Sequence, residues 1–406
     1  MKVNVCDDGM CTSCGSCIQI CPQQCIFYIN NNHETSAAVI DTDKCISCNL
    51  CKMACPTLNN IAKHRPMISY AAWSNDSETR RTSASGGIAS EMYHYFGNKD
   101  NHCYAGTSMD DSFDLTYKLF EGIGHIYDFK NSKYVYGDTK NVYKDIAKQL
   151  GLEKKILFIG LPCQVAGLKQ YLNALQAEDG NLICVDLVCH GATPPSFLKE
   201  HVAFIEKKTG RKAAKITFRD PDNGRGTYDF ILCVFDNKNK VIYKKKVHRN
   251  DSYQVGYHYG ITYRDNCYKC DYTQNERVGD VTLADYSGLG TVSYCDYSGR
   301  KVSCILVNTE KGRDFIDKLK ASNYIYADIR PVEEELNNEK QLNSPTQVTK
   351  ERTDFIKMYA QKRDFEKSMK SAACWIMLKN ELKYYLGIEY LVRGFSKISR
   401  IVFYRE

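Results

Sequence analysis

Cys11, Cys14, Cys17 and Cys21 recur at the same spacing as Cys45, Cys48, Cys51 and Cys55, and each run closes on a proline, Pro22 and Pro56. A Cys-x-x-Cys-x-x-Cys-x-x-x-Cys-Pro run holds [4Fe-4S] clusters by thiolate ligation. Its tight spacing wraps three sulfurs around three corners of one cube, and the fourth cysteine turns away to serve the other. This assigns one cluster to Cys11, Cys14, Cys17 and Cys55, and a second to Cys45, Cys48, Cys51 and Cys21. Zinc would use two Cys-x-x-Cys pairs per ion and leave the third cysteine of each run unexplained. Disulfides would need an oxidising compartment, and the opening Met1 to Val5 starts no apolar signal segment. Cys6 and Cys25 stand out of register and are expected to be small buried residues.

The elements that must position these sulfurs are few. Residues 1–58 read as a bacterial-type ferredoxin domain, with Ile26–Ile29 and Val39–Ile40 as short strands against the cubes and the polar stretch 58–67 as a linker. A chain of 406 residues allows two or three domains, and 43% hydrophobic with 25% charged residues describes a soluble globular protein. No apolar run reaches transmembrane length. Twenty cysteines without a secretory signal point to a reducing cytoplasm and an anaerobic or microaerobic host. The net charge of +7 is mild and concentrates in residues 362–406, with ten Lys or Arg against five Asp or Glu. With no nucleic-acid motif beside it, this excludes nucleic-acid binding.

From residue 68 the pattern is α/β. A strand at Ser69–Trp73 leads through a charged loop to Arg81 and into Thr82 to Gly87, a small-residue loop opening a helix at Ile88. Such a loop can meet an anion with free backbone N–H groups, although taken alone an ordinary capped helix is the better account of it. Strand-like runs follow at His102–Thr107 and Leu115–Glu121, then a helix at Lys140–Leu150. Lys155–Gly160 and Asn181–Val188 are apolar strands that each turn into a helix, the signature of parallel pairing. Cys163 and Cys189 fall at their ends, where such sheets keep ligands. An antiparallel meander is expected from Ala214–Arg219, Tyr228–Phe235 and Lys240–Val247, with turns at Pro221–Gly226 and Asp236–Asn239. A short helix, Ser252–Tyr259, leads to Cys267-Tyr268-Lys269-Cys270, and Arg277–Leu283 reads as a strand. From Thr309 the chain reads as helical, ending in a basic tail whose Trp375, Ile376, Leu378, Leu382 and Tyr385 have a helical period. That helix suits packing on the body or a partner, or peripheral contact with an anionic membrane. Four segments are thus expected: 1–58, 68–210, 211–308 and 309–406.

Cys163, Cys189, Cys267 and Cys270 could converge on one more cubane, but Cys-x-x-Cys alone also suits zinc or a redox disulfide. Cys103, Cys184, Cys233, Cys295, Cys304 and Cys374 are read as structural. His190 could donate a proton to substrate, or be a histidine tied to backbone at a sharp turn.

Five motifs occur in order: Arg81-Thr82-Ser83-Ala84-Ser85-Gly86-Gly87, Gly160-Leu161-Pro162-Cys163-Gln164, Leu187-Val188-Cys189-His190-Gly191, Cys267-Tyr268-Lys269-Cys270 and Gly279-Asp280-Val281-Thr282-Leu283-Ala284-Asp285-Tyr286. Over residues 1–305 the chain resembles the beta-subunit family of coenzyme F420 hydrogenases and dehydrogenases. That family includes 7-hydroxymethyl chlorophyll a reductase and relatives in surface-polysaccharide gene clusters. The resemblance implies FAD held by Arg81, Ser83, Ser85, Gly86, Gly87, Gly160, Pro162 and Gln164, and a third [4Fe-4S] cluster on Cys163, Cys189, Cys267 and Cys270. It places Asp280 and Asp285 near the site, with Asp285 and His190 as candidate catalytic groups. One departure is Asp285-Tyr286-Ser287-Gly288, where many members have Asp-Phe-Trp-Gly; the smaller Ser287 would reshape the flavin pocket or the substrate mouth.

Clusters pass single electrons, whereas a small carbonyl, alkene or deazaflavin takes two; a flavin converts one into the other. The resemblance therefore implies an iron-sulfur flavoprotein oxidoreductase linking ferredoxin or another redox protein to a small two-electron substrate. Two other readings stand beside it: a non-catalytic electron-transfer subunit docked to a partner enzyme, and a redox accessory protein of surface-polysaccharide synthesis.

Overall fold

The structure is a computed structural model that describes residues 2–7, 9–219, 230–297 and 301–386. The two cysteine runs fold as near copies. Ser13 and Gly15 in the first take φ of 52° and 86°, and Ser47 and Asn49 in the second take 55° and 61°. These left-handed residues bend each loop back on itself, which glycine and asparagine do at little cost. Each loop then enters a short helix, Ser16–Ile20 and Leu50–Met53. The two expected strands form as Ile26–Asn30 and Ser36–Asp41; they pair antiparallel, and a third strand, Lys2–Asn4, adds to the other edge of Ser36–Asp41.

An eight-stranded mixed sheet organises the body. Its centre is parallel: His102–Met109, Lys155–Gly160, Leu182–Leu187 and Val281–Asp285 run side by side. Leu115–Phe120 closes one side antiparallel, and Ser303–Val307, Ile68–Ser74 and Ile325–Arg330 continue the other. The apolar run Lys155–Gly160 is explained by burial on both faces. Leu157 and Ile159 face the core under helices Ile88–Gly97 and Glu310–Ala321, while Ile156 and Phe158 face that under Val142–Leu150 and Pro162–Ala174.

The fold is the mixed α/β architecture expected, with local differences. Ser77–Thr82, read as a charged loop, is a helix, because Asp76 caps it by accepting a hydrogen bond from the Thr79 N–H at 2.7 Å. Ile325–Arg330 is a strand where only helices were expected; it pairs with Ile68–Ser74 and leaves Tyr326 and Ile329 exposed. The meander forms as an antiparallel sheet of Lys215–Thr217, Ile231–Phe235 and Val241–Lys246, with Ile231–Phe235 in the middle. The expected turn at Pro221–Gly226 and the start of the second strand lie outside the described residues. Strands of the main sheet come from three of the four segments inferred from sequence.

A third core joins helix Pro195–Thr209 to Ser252–His258, Lys350–Lys362 and Phe365–Ala372 through Phe197, Tyr253, Phe355 and Phe365. At its centre buried His201 bridges Asp251 at 3.0 Å and Glu366 at 2.5 Å. Burial works against a charged ring, but the two carboxylates outweigh it and hold the His201 pKa up at about 9. The helix Cys374–Tyr385 docks on the body through Asn250, whose side-chain amide donates to the Met377 carbonyl at 2.8 Å. Its periodic apolar residues Trp375, Leu378, Leu382 and Tyr385 face outward rather than onto the body. The rest of the basic tail, residues 387–406, lies outside the described residues. Among the described residues no helix is long and apolar enough to cross a membrane.

Candidate functional site

In the N-terminal unit, Cys11, Cys14, Cys17 and Cys55 line one small cavity. The Cys11 sulfur accepts backbone N–H groups of Ser13 and Ala38, each at 3.4 Å, and Cys45 accepts that of Ser47 at 3.4 Å. Such N–H to sulfur contacts favour thiolates and the anionic clusters they carry. Cys6, expected only to fill space, is buried and walls the same cavity, while the Cys25 sulfur lies 3.5 Å from that of Cys21. The second run lies outermost, with Cys48 exposed and Cys45 and Cys51 half-buried. Among the described residues no three His, Cys, Asp or Glu side chains are gathered closely enough to hold a single metal ion.

A second cavity is lined by Cys163, Cys189, Cys267 and Cys270. Separate devices bring them there. Cys163 occupies the first turn of helix Pro162–Ala174, right after strand Lys155–Gly160. Cys189 follows strand Leu182–Leu187, and Cys267 and Cys270 come from the turn at Asp265–Lys269 and its end. Burial pushes the Cys189 thiol up to about 12 and the Cys270 thiol up to about 11, so neither favours ionisation without a positive partner.

The two cavities are neighbours across helix Pro162–Ala174. Cys163 and Gly167 are four residues apart and share a helix face. A Cβ on Gly167 would come within 2.8 Å of the Cys14 Cβ and 3.0 Å of its sulfur, so only glycine lets this helix approach. Ser16 seals the contact by donating to the Gly167 carbonyl at 2.6 Å, and Thr139 donates to the Cys14 carbonyl at 2.9 Å. Gln19 adds a bond in which its carbonyl oxygen accepts the Tyr143 N–H at 2.9 Å.

A cavity of about 540 Å³ opens at the carboxyl ends of the parallel strands, the usual ligand position in such sheets. Ser83, Ser85 and Gly87 line it at the start of helix Ile88–Gly97, with Gly160, Gln164, His190, Asp285 and Ser287 around the rim and floor. Leu161 and His190 belong to both this cavity and the four-cysteine one. Among the described residues the buried Ser83 hydroxyl has no hydrogen-bond partner. The Gln164 side chain donates to the Gly137 carbonyl at 2.8 Å and accepts from the Tyr117 hydroxyl at 2.5 Å.

Three expected cofactor-binding residues sit elsewhere. Arg81 pairs with Glu78 at 2.7 Å on the surface, because the Ser77–Thr82 helix turns its side chain outward. Gly86 presses on the sheet, where a Cβ would meet the Ala72 carbonyl at 2.4 Å. Pro162 lines the four-cysteine cavity, since it opens the helix that carries Cys163. Asp280 lies at the opposite end of its strand from Asp285, accepting hydrogen bonds from Cys184 N–H and Thr309, each at 2.9 Å. Asp285 is held by Arg219 at 2.8 Å. Sequence reasoning missed Arg219, Lys133 and Tyr134, all on the cavity wall. Lys133 donates to the carbonyls of Lys130 and Asn131, and burial brings its ammonium down to about 8. Its irregular segment carries no motif; the pairing of a lysine with an aromatic was the only signal.

No curated protein matches the chain. Among solved structures, the xenon-derivatised F420-reducing [NiFe] hydrogenase complex from Methanosarcina barkeri aligns at 16% identity, covering 76% of this chain and 91% of that one, with a TM-score of 0.47. Residues 10–59 match the 4Fe-4S dicluster domain. Residues 153–335 match the family described as the C terminus of the coenzyme F420 hydrogenase/dehydrogenase beta subunit. The chain therefore joins a 4Fe-4S dicluster domain at residues 10–59 to a segment, residues 153–335, that matches the C terminus of the coenzyme F420 hydrogenase/dehydrogenase beta subunit, and it is an iron-sulfur electron-transfer protein.

Proposed function

We propose that this protein is an iron-sulfur flavoprotein oxidoreductase that carries electrons between ferredoxin-type clusters and a small two-electron substrate through FAD. The observation that carries the reading is the sequence of adjoining cavities. The Cys11 site touches helix Pro162–Ala174 at Gly167, Cys163 one turn earlier lines the four-cysteine cavity, and that cavity shares Leu161 and His190 with the 540 Å³ cavity. Four cysteines around one space suit a third [4Fe-4S] cluster, and the neighbouring Arg264 suits its negative charge. The large cavity suits a flavin nucleotide: an unpartnered Ser83 hydroxyl, a helix start with Gly87 at φ 91°, the nearby Lys130 ammonium, and the stacked rings of Tyr134 and Tyr257.

When bound, FAD would supply the exchange between single and paired electrons. The chain's own residues do the rest. Ser83, Ser85 and Lys130 would hold the anionic part of the nucleotide, and the aromatic wall would exclude water from the flat part. Asp285, fixed by Arg219, and His190, exposed at the mouth, are the groups placed to hold or move a proton there.

Anaerobic reconstitution with iron and flavin quantification tests this. About twelve irons and one FAD per chain are expected. Reduced ferredoxin should bleach the bound flavin, and a small acceptor should restore its colour. Iron near eight per chain with no flavin rejects the reading. Restoration by a partner protein alone would favour a docked, non-catalytic subunit, to which the exposed stripe of Trp375, Leu378, Leu382 and Tyr385 would be suited.

A further inference from the structure

A buried cation sits between the two cysteine-lined cavities. Arg264 is 2% exposed, and one side of its guanidinium grips the cysteine loop of the N-terminal unit. Nη1 donates to the Thr12 carbonyl at 3.0 Å and Nη2 to the Ser13 hydroxyl at 2.5 Å, both inside the Cys11 to Cys14 loop. Its Cζ lies 3.8 Å from the ring centre of Tyr136, whose hydroxyl donates to the same loop. On the other side Arg264 and Tyr136 wall the cavity of Cys163, Cys189, Cys267 and Cys270, and the Arg264 carbonyl accepts the Cys267 N–H at 3.0 Å.

Among the described residues Arg264 forms no ion pair, unlike the two other buried arginines nearby: Arg277 meets Asp186 at 3.3 Å and Arg352 meets Asp265 at 2.8 Å. Burial disfavours its charge. A buried guanidinium without a counter-charge costs several kcal/mol. Four thiolates around a cubane make an anion, and here one would lie on each side.

We infer that Arg264 is the shared counter-charge of the two iron-sulfur sites it separates, and that it raises the reduction potential of both. This rests on the reading of the four-cysteine cavity as a cluster site. The physical reason is that each electron added to a buried cluster adds negative charge in a low dielectric, where a fixed cation counts most. The outer site around exposed Cys48 has water to screen that charge. Burial alone would make the two inner sites harder to reduce than the outer one and would stall electrons at the surface. One arginine between them offsets that penalty twice. Arg264 is thus a positioning residue for electron transfer, acting through charge rather than by contact with substrate.

The test is an electron-resonance redox titration of the full, anaerobically reconstituted chain, comparing wild type with Arg264→Gln and Arg264→Lys. The Gln variant should lower the midpoints of two clusters and leave the third in place, with iron content unchanged; the Lys variant should stay near wild type. Unmoved midpoints in the Gln variant, or all three moving together, overturn the inference. If the Gln variant does not hold iron, the Lys variant decides: midpoints that stay support the charge role, and midpoints that fall overturn it. Wild-type chain with only about eight irons is a separate result, which rejects the four-cysteine cluster site itself before any variant is compared.

Discussion

The protein gathers cysteines in two different ways. Between residues 11 and 55 the same short loop is used twice, and the backbone does the work locally: paired left-handed residues, Ser13 with Gly15 and Ser47 with Asn49, turn each loop inward. Cys163, Cys189, Cys267 and Cys270 instead come from two strand ends and a distant turn, and only the packed sheet sets their separation. The first kind of site depends on a few dihedral angles and on metal. The second depends on the whole body being folded first, so its failures should be more selective and its rescue harder.

Serine at one cysteine from each set separates the two most sharply. Cys267→Ser should lose about four irons of about twelve and keep the N-terminal clusters, and Cys14→Ser should do the reverse. Iron analysis with the visible spectrum reads both, and a Cys267→Ser protein that kept all its iron would break the distinction. A stability change away from both sites should leave iron untouched. His201→Gln, which strips the buried partner from Asp251 and Glu366, should cost about 3 kcal/mol at neutral pH. The His201 pKa near 9 lies above that of a free ring. Its ion pairs therefore stabilise the fold fully below about pH 6.5, and this contribution fades as pH rises through about 9. The melting temperature of wild type should fall over that range more steeply than that of the variant; parallel curves would refute the assignment.

Gly167→Ala probes the seam between the two kinds of site. The new methyl meets Cys14 at 2.8 Å and should cost about 1–3 kcal/mol while slowing reduction of the body by the N-terminal clusters. Unchanged stability and transfer would show that the seam is looser than its geometry. Tyr136→Phe should have the smallest effect, about 1 kcal/mol from the lost bonds to the Thr12 and Ser13 carbonyls, with iron content unaltered. A large iron loss there would mean that the loop depends on the body after all.

The repeat at residues 11–55 was legible because its chemistry and its geometry occupy the same few residues. The parallel strands at Lys155–Gly160 and Leu182–Leu187 were legible because burial on both faces leaves an unbroken apolar run. Ile325–Arg330 was missed because an edge strand exposed on one side has no such run. Arg81 was expected at the cofactor loop because it is adjacent in sequence, but a single Asp76 cap turns that stretch into a helix pointing it at Glu78. The outward face of Trp375 and Tyr385 was equally hidden, since a helical period shows that a stripe exists and not which side the body takes.

The order of residues alone determined the sulfur-rich loops, the strand-to-helix turns that hold Cys163 and Cys189, and the α/β class, because each follows from local spacing and from which side chains avoid water. Tertiary structure alone decided which loop of the N-terminal unit faces the body, that Gly167 lets Cys14 approach helix Pro162–Ala174, and that Arg264 stands between two groups of cysteines. These are distances between segments far apart in the chain, fixed only when the sheet's two cores close, and no local pattern encodes them.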